Sequence, residues 1–294
     1  MKTGIDMRCC KDLLALLRIS SVALLVALMA LMLNVELSAQ EPKTKLKPKA
    51  KQTEKKSKQA GSKKPGAKSK HGTKQGKKKV RPEFASVEDV AGLPRVLLLG
   101  DSISIGYTLQ VREGLKGKAN VHRPPINCGP TTRGLQSIER WLGDKKWDVI
   151  HFNWGLHDLK YMGPNNENLA DPADEKNHQQ VPPAEYEKNL GKLVERLKKT
   201  NAKLIWRNTT PVPEGAKGRV VGDSAKYNAI AAKVMNQHGV AIHDMFSFVQ
   251  PKMAELMQPK GNVHFKKAGS QVLADDVVEV ILGAFEADKE PETK

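Results

Sequence analysis

Residues 95–107 read RVLLLGDSISIGY, and the reading of that stretch decides the fold. Arg95–Leu99 is a short apolar run between Pro94 and Gly100, the pattern of a strand buried on both faces of a parallel sheet. Helical spacing follows at once through Ile105, Leu109 and Leu115. The same alternation continues down the chain. Strands are expected at 119–122, 147–152 (WDVIHF), 203–206 (KLIW) and 240–243 (VAIH). Helices are expected at 132–142, 183–199, 224–237 and 268–285, the second with Tyr186, Leu190, Leu193, Val194 and Leu197 on one face. Short strands alternating with longer helices predict an α/β protein with a parallel sheet covered on both faces. In such a sheet the functional groups belong at the carboxyl ends of the strands.

The 294 residues suffice for one substantial core and something beside it. The formal charge is +17, but residues 41–81 hold sixteen Lys and one Arg against two Glu, which is +15 of it. Residues 1–40 carry +1, so 82–294 are nearly neutral at +1. The strong positive charge therefore describes one segment and not a recognition surface of the folded part. Residues 1–39 read as a signal peptide or a retained membrane anchor: Lys2, Arg8 and Lys11 precede an apolar stretch from Ile19 to Leu33, and Leu37-Ser38-Ala39 offers a cleavage site. Either reading predicts a secreted or extracytoplasmic domain.

Residues 40–82 are Lys, Gly, Ser, Pro and Gln with scarcely a large apolar side chain, so a disordered linker is expected there. It reads as a solubilising spacer, or as a polycationic tether to an anionic envelope polymer or surface. Without interleaved aromatics to stack on bases, a nucleic-acid partner is disfavoured. The ordered domain is expected at 83–287, followed by a polar end at 288–294. Once residues 1–39 are removed Cys128 is the one cysteine left, so no disulfide within the chain is expected.

Polar residues concentrate where the strands end. Gly100-Asp101-Ser102 follows the first strand and opens a helix, which places Ser102 in a tight turn with backbone N–H groups aimed at the same space. That suits a nucleophile whose attack on an acyl group creates an oxyanion, and it suits a helix cap equally well. The third strand ends in Asn153-Trp154-Gly155-Leu156-His157-Asp158, the second leads to Asn127-Cys128-Gly129-Pro130, and the fourth to Arg207-Asn208-Thr209-Thr210. The loop before the last helix holds Asn262 and His264, the latter placed across from Ser102 as a general base. The G-x-S-x-G elbow, the P-loop and the dinucleotide fingerprint are all absent. His122, His151, His157, His243 and His264 show no metal-ligand spacing, and Cys128 belongs to no zinc pattern, so no metal and no cofactor are expected. His151 and His243 fall inside expected strands and read as core or sheet-end residues.

Taken together, GDSISIGY at 100–107, NCGPTTRG at 127–134, NWGLHD at 153–158 and GNVHFKKAGSQVLA at 261–274 resemble the SGNH, or GDSL-like, hydrolase family of esterases and lipases. The resemblance implies a three-layer α/β/α sandwich, flavodoxin-like, with a five-stranded parallel sheet. It implies ester hydrolysis through an acyl-serine, with Ser102 as nucleophile, His264 as base, and the N–H groups of Ser102 and Gly129 as oxyanion donors. Two departures stand out. The family's G-x-N-D block has His157 in place of its asparagine, so an imidazole would have to donate to the oxyanion, with Asn153 as another group lining the pocket. The family's D-x-x-H block has Gly261 where the acid belongs. Asn262, Asp158 or the backbone could orient His264 instead, or the enzyme could run on a Ser-His dyad. A domain of this fold that binds a glycan without turnover is the alternative that follows, as is an interaction protein acting through its basic tail.

For the substrate, Trp154, Tyr161 and Trp206 are expected to flank the site as a sugar-stacking face. Residues 165–180 (NNENLADPADEKNHQQ) form a hydrophilic insertion, read as a wall or lid that favours a polar substrate over a lipid. An exported enzyme of this kind resembles carbohydrate O-acetyl esterases, so the expected partner is an ester on an acetylated polysaccharide.

Overall fold

The computed structural model describes residues 80–287. The expected leader at 1–39, nearly all of the lysine-rich linker at 40–82 and the polar end at 288–294 lie outside the described residues.

The chain alternates strand and helix from Arg95 onward. Strand β1 (Arg95–Leu99) leads into helix α1 (Ser102–Gly114), then β2 (Asn120–His122), α2 (Thr131–Leu142) and β3 (Val149–Phe152). After a small antiparallel ribbon, β4 (Tyr161–Met162) with β5 (His178–Gln179), come α3 (Pro183–Lys198), β6 (Lys203–Arg207), α4 (Asp223–His238) and β7 (Ala241–His243). Two short helices, α5 (Met245–Val249) and α6 (Met253–Leu256), precede the last helix, α7 (Lys267–Glu286). The five long-range strands are parallel in the order β2-β1-β3-β6-β7. Helices α1 and α7 pack together on one face of that sheet and α2, α3 and α4 form the layer on the other, the flavodoxin-like sandwich the sequence predicts.

The expected elements recur with shifted ends, and the shifts have local causes. Val240 is withheld from β7 because its N–H bonds the Met235 carbonyl, closing α4 over the left-handed Gly239 (φ +66°). Ala119 is withheld from β2 by a bond from its N–H to the Leu115 carbonyl. Asp148 precedes β3 because its side chain accepts the Arg95 N–H, 2.6 Å, while its own N–H goes to the Arg95 carbonyl.

The core is continuous through both helical layers. Val96 and Leu98 of β1, Ile150 and Phe152 of β3, Leu190 and Leu193 of α3, and Leu273 and Val277 of α7 are all buried. Each large apolar side chain so enclosed stabilises the fold by roughly 1.5–3 kcal/mol relative to exposure. Trp154 and Trp206 belong to this core as well, each 1% exposed. The expectation that they offer a stacking face is therefore corrected: their rings fill the sheet–helix interface, and of the three aromatics only Tyr161 is partly exposed.

Strand order reverses between β1 and β3, since β1 connects outward to β2 and β3 connects the other way to β6. The crevice at the carboxyl ends of these two strands is where an open sheet of this kind receives its ligand. Ser102 emerges there from β1, and the 153–158 loop from β3.

Candidate active site

The turn that presents Ser102 is built by Asp101. Its carboxylate caps α1 by accepting the Ile103 N–H, 2.9 Å, and its carbonyl receives Ser104 Oγ, 2.9 Å. Ser102 is thereby fixed as the first residue of the helix, where a backbone N–H has no carbonyl partner one turn back and faces outward. Asp101 serves as the cap, so Ser102 keeps its hydroxyl for another partner.

That partner is His264, whose Nε2 lies 2.9 Å from Ser102 Oγ. The other ring nitrogen, Nδ1, stands 2.8 Å from Asn262 Oδ1. The same oxygen accepts the backbone N–H of His264, 3.0 Å. A backbone N–H can only donate, so the atom facing it must be the amide oxygen and Nδ1 must carry the ring proton. Nε2 is then left with its lone pair toward the serine hydroxyl. Asn262 is held in turn, because its Nδ2 donates to Gln258 Oε1, 2.8 Å, while Gln258 Nε2 donates to the Phe265 carbonyl, 3.2 Å. The arrangement is a Ser-His-Asn chain in which every amide orientation is fixed by a main-chain group.

Gly261 lies in the left-handed region (φ +68°) with its Cα against the 215–216 backbone. Asn262, one residue later, closes an Asx turn and meets the histidine from a different direction. Of the orienting groups left open by the sequence, the structure brings Asn262 to His264 and takes Asp158 elsewhere. Asp158 is fully buried, with Oδ1 accepting both the N–H and the hydroxyl of Thr131 (2.8 and 2.6 Å). Burial pushes its carboxyl up to about 7 against the pull of those hydrogen bonds, and Asp101 adds to the rise.

Asn153 is also corrected as a pocket residue. It is buried, and its Nδ2 donates to the Arg207 carbonyl, 2.7 Å, and to Thr209 Oγ1, 3.2 Å, tying the end of β3 to the end of β6. The polar run after β6 ties that strand end to its other neighbours, with Asn208 bound to Asp244 after β7 and Thr209 to Asn228 of α4. Gly155 is required here because a Cβ would overlap the Thr209 side chain.

Gly129 is left-handed (φ +62°), and the preceding Cys128 N–H bonds the Gly100 carbonyl, 3.2 Å, which docks this loop on the Ser102 turn. The Gly129 N–H points back to Asn127 Oδ1, 2.8 Å. The loop is further clamped by the buried Arg123, which the sequence reading missed. Its guanidinium donates to Thr108 Oγ1, 2.8 Å, to Ser104 Oγ, 3.2 Å, and to the carbonyls of Gly100 and Ile126, both 3.4 Å. A basic residue directly after a strand and before a turn of two prolines is the one signal that could have marked it.

His157 lies half-buried beyond this loop. Burial lowers its imidazole to about 4, Asp101 opposes that shift, and Lys160, Arg219 and Arg133 reinforce it. It is a neutral ring at ordinary pH, able to donate one N–H. His264 itself is exposed, so the Ser102–His264 pair sits on an open face. Neither the groove of about 640 Å³ between β7 and α7 nor the one of about 590 Å³ beside Trp147 is lined by either residue.

His151 and His243 bond each other across the sheet, 3.0 Å, and His243 bonds Asp276 of α7, 2.6 Å, all beneath the helix layer and away from these residues.

Comparisons with known proteins agree with this architecture. Among solved structures the chain is similar to the lipase/acylhydrolase from Enterococcus faecalis, with TM-score 0.54 and 18% identity over 65% of this chain and 96% of that one. It is similar to the acetyl xylan esterase AlAXEase, with TM-score 0.51 and 17% identity over 64% of this chain and 99% of that one. It is likewise similar to Axe2, an acetylxylan esterase from Geobacillus stearothermophilus, with TM-score 0.52 and 18% identity over 64% and 94%. No curated protein sequence matches the chain. At such identities the structural likeness shows the fold, while the profile of the GDSL-like lipase/acylhydrolase family matches residues 98–272, from the end of β1 into α7. That match takes in Ser102, Gly129, His157 and His264 together, and the chain belongs to the GDSL-like lipase/acylhydrolase family as a serine ester hydrolase.

Proposed function

We propose that this hydrolase is an exported O-acetyl esterase acting on a carbohydrate, with Ser102 as nucleophile and His264 as base. One observation carries the assignment of roles: His264 Nε2 is 2.9 Å from Ser102 Oγ while Asn262 keeps the ring proton on Nδ1. An imidazole so held is ready to accept the hydroxyl proton without changing tautomer.

In the proposed reaction Ser102 Oγ attacks the acetyl carbonyl carbon as His264 Nε2 takes its proton. The carbonyl oxygen becomes an oxyanion, stabilised by the Ser102 N–H and by the neutral His157 N–H. The Gly129 N–H joins them when the Asn127 amide rotates away from it. His264 then returns its proton to the departing sugar oxygen, leaving acetyl-serine. Water enters, loses a proton to His264 and attacks the acyl carbon, and collapse of the second intermediate releases acetate and restores the serine hydroxyl.

The acetyl carbohydrate reading is supported by the exposed, polar setting of the pair and by the acetyl xylan esterases among its structural relatives. The insertion at 165–180 supports it too. Its side chains are mostly polar and exposed, and its flanks are tied back by a bond from the Tyr161 N–H to the Gly218 carbonyl and by the Val181 N–H on the Asp158 carbonyl. Export rests on the character of residues 1–39, and tethering to an anionic polymer on that of residues 41–81.

The test is hydrolysis of 4-nitrophenyl acetate, then acetate release from acetylated xylo-oligosaccharides, by the purified protein and Ser102→Ala. Turnover of both esters that falls by about 10³-fold or more in the variant is expected. Equal rates in the two proteins would remove the esterase assignment of Ser102, and turnover confined to the small ester would remove the carbohydrate.

A further inference from the structure

Three cations about the His157 turn, exposed Arg133, half-buried Arg219 and buried Lys160, touch no acidic side chain. Arg133, on the first turn of α2, is exposed and lays its side chain over Gly129: a Cβ on that glycine would lie 3.1 Å from Arg133 Cδ and 3.3 Å from its Nε. Its guanidinium makes one hydrogen bond, a long one of 3.4 Å from Nη1 to the Asn127 carbonyl. Lys160 follows the His157 turn and has a single partner, Asn168 Oδ1, at 2.7 Å. Arg219 donates Nε and Nη2 to the Leu156 carbonyl (3.2 and 3.1 Å), which leaves Nη1 without a protein acceptor. Arg133 overlies the Gly129 loop, Arg219 holds the Leu156 carbonyl next to His157 and Lys160 follows three residues later, and all three disfavour a proton on the His157 ring, which Asp101 opposes.

The acidic groups nearby are turned to other tasks. Asp101 is buried as the cap of α1, and Asp158 is buried on Thr131. Glu167 bonds the amide and side chain of Asn165, and Asp171 and Asp174 accept the N–H groups of Ala173 and Lys176 in local turns. Among the described residues, no ion pair includes Arg133, Lys160 or Arg219. The buried carboxyls of Asp101 and Asp158 act on Arg219 and Lys160 only at a distance, so like charges outnumber opposite ones here and an anion entering among them relieves their repulsion.

We infer that Arg133, Lys160 and Arg219 form an anion subsite beside Ser102, so that the preferred ester is borne by a saccharide carrying a carboxylate or a sulfate close to the scissile bond. The inference rests on the esterase reading above and deepens it. Arg133 and Arg219 offer planar forks that match the paired oxygens of either anion, and Lys160 adds a point charge. A neutral acetylated sugar forgoes the cluster's contribution to binding.

The experiment uses the full chain and its Arg133→Gln, Arg133→Lys and Arg219→Gln variants, all with the same lysine-rich segment, so any pull from that segment is common to them. The probes are a neutral acetylated xylo-oligosaccharide, an acetylated oligogalacturonate and an acetylated, sulfated galacto-oligosaccharide. The native protein should show kcat/KM at least tenfold higher on one or both anionic probes than on the neutral one. That ratio should fall toward unity in Arg133→Gln and Arg219→Gln through a raised KM and recover in part in Arg133→Lys. Whichever anionic probe carries the preference identifies carboxylate or sulfate. An unchanged ratio in the Gln variants, even with all rates lowered together, would overturn the subsite and leave the esterase standing. Absence of turnover on every probe and on 4-nitrophenyl acetate would remove both readings.

Discussion

Gly261 packs against Gly215 so closely that a Cβ on Gly261 would overlap the Gly215 carbonyl and lie 2.7 Å from the Ala216 nitrogen. The family's acid is therefore missing from this position for a steric reason, compounded by a backbone that only glycine adopts freely (φ +68°). Restoring it by Gly261→Asp should not improve the enzyme. We expect that substitution to lower stability by about 2 kcal/mol or more, since it adds overlap to left-handed strain, and to lower kcat by displacing the 261–264 loop. Thermal unfolding and ester hydrolysis measured side by side check this, and a variant as stable as the parent and faster would contradict it.

Asn262 holds the His264 tautomer through an oxygen that accepts two N–H groups. Asn262→Ala should therefore lower kcat by about 10²–10⁴-fold with KM little changed, the range expected when an orienting partner is lost. Asn262→Asp keeps both acceptor contacts and adds a charge facing the imidazolium, so it should retain activity within about tenfold of the parent, given that a typical charge-assisted hydrogen bond offsets the lost Gln258 contact. Steady-state kinetics on a small acetate ester distinguish the two, and an inactive Asn262→Asp beside an active Asn262→Ala would refute the assignment.

His157 is held to about 4 by burial, so it stays neutral throughout the range in which the enzyme would be assayed. Replacing it with the family's asparagine, His157→Asn, should leave the shape of the pH–rate profile unchanged above about pH 5, where the lowered histidine no longer titrates. His157→Ala should cost about 10²–10³-fold in kcat through loss of one oxyanion donor. An extra limb between pH 6 and 8 in the parent, absent from His157→Asn, would show the ring to be titrating where this account has it neutral.

Asp158 carries the opposite kind of shift. Its carboxyl is raised to about 7 in the fold, whereas an unfolded aspartate titrates near 3.9. Between those values the native state holds a proton that the unfolded chain releases, so this group's contribution makes stability fall as pH rises from about 4 to about 7 and level off above. The slope approaches about 1.4 kcal/mol per pH unit at its steepest. Asp158→Asn removes it, so the variant should gain on the parent in Tm from pH 5 to pH 8. Parallel Tm curves for the two proteins would count against a raised Asp158.

Much of this was written in the sequence, and the parts that were not have physical reasons. The apolar runs of β1, β3 and β6 and the stripe on α3 announced the sheet and its covering helices, because burial on both faces leaves little room for other residue types. The approach of His264 to Ser102 followed from their places at the carboxyl edge. The β4–β5 ribbon was invisible: it is pinned by main-chain bonds, such as the Gln180 N–H to the Lys160 carbonyl, that impose no side-chain pattern. Trp154 and Trp206 were misplaced because a residue at a strand end can point inward as readily as outward, and sequence does not record which. Arg133, Lys160 and Arg219 lie in three separate segments, and only the winding of the chain brings them to the loops about Gly129 and His157.

Ser102 and His264 are 162 positions apart, one opening the first long helix of the sandwich and the other just ahead of the last. On the proposed assignment the nucleophile is made early in synthesis and its base arrives only with the final segment, when α7 docks against α1. A chain cut between His243 and Asn262 carries the serine, the Gly129 loop and all five strands of the sheet, yet has no group to draw the proton from the hydroxyl. Onset of activity would thus report completion of the domain, and the unfinished polypeptide is chemically silent toward esters it meets on the way.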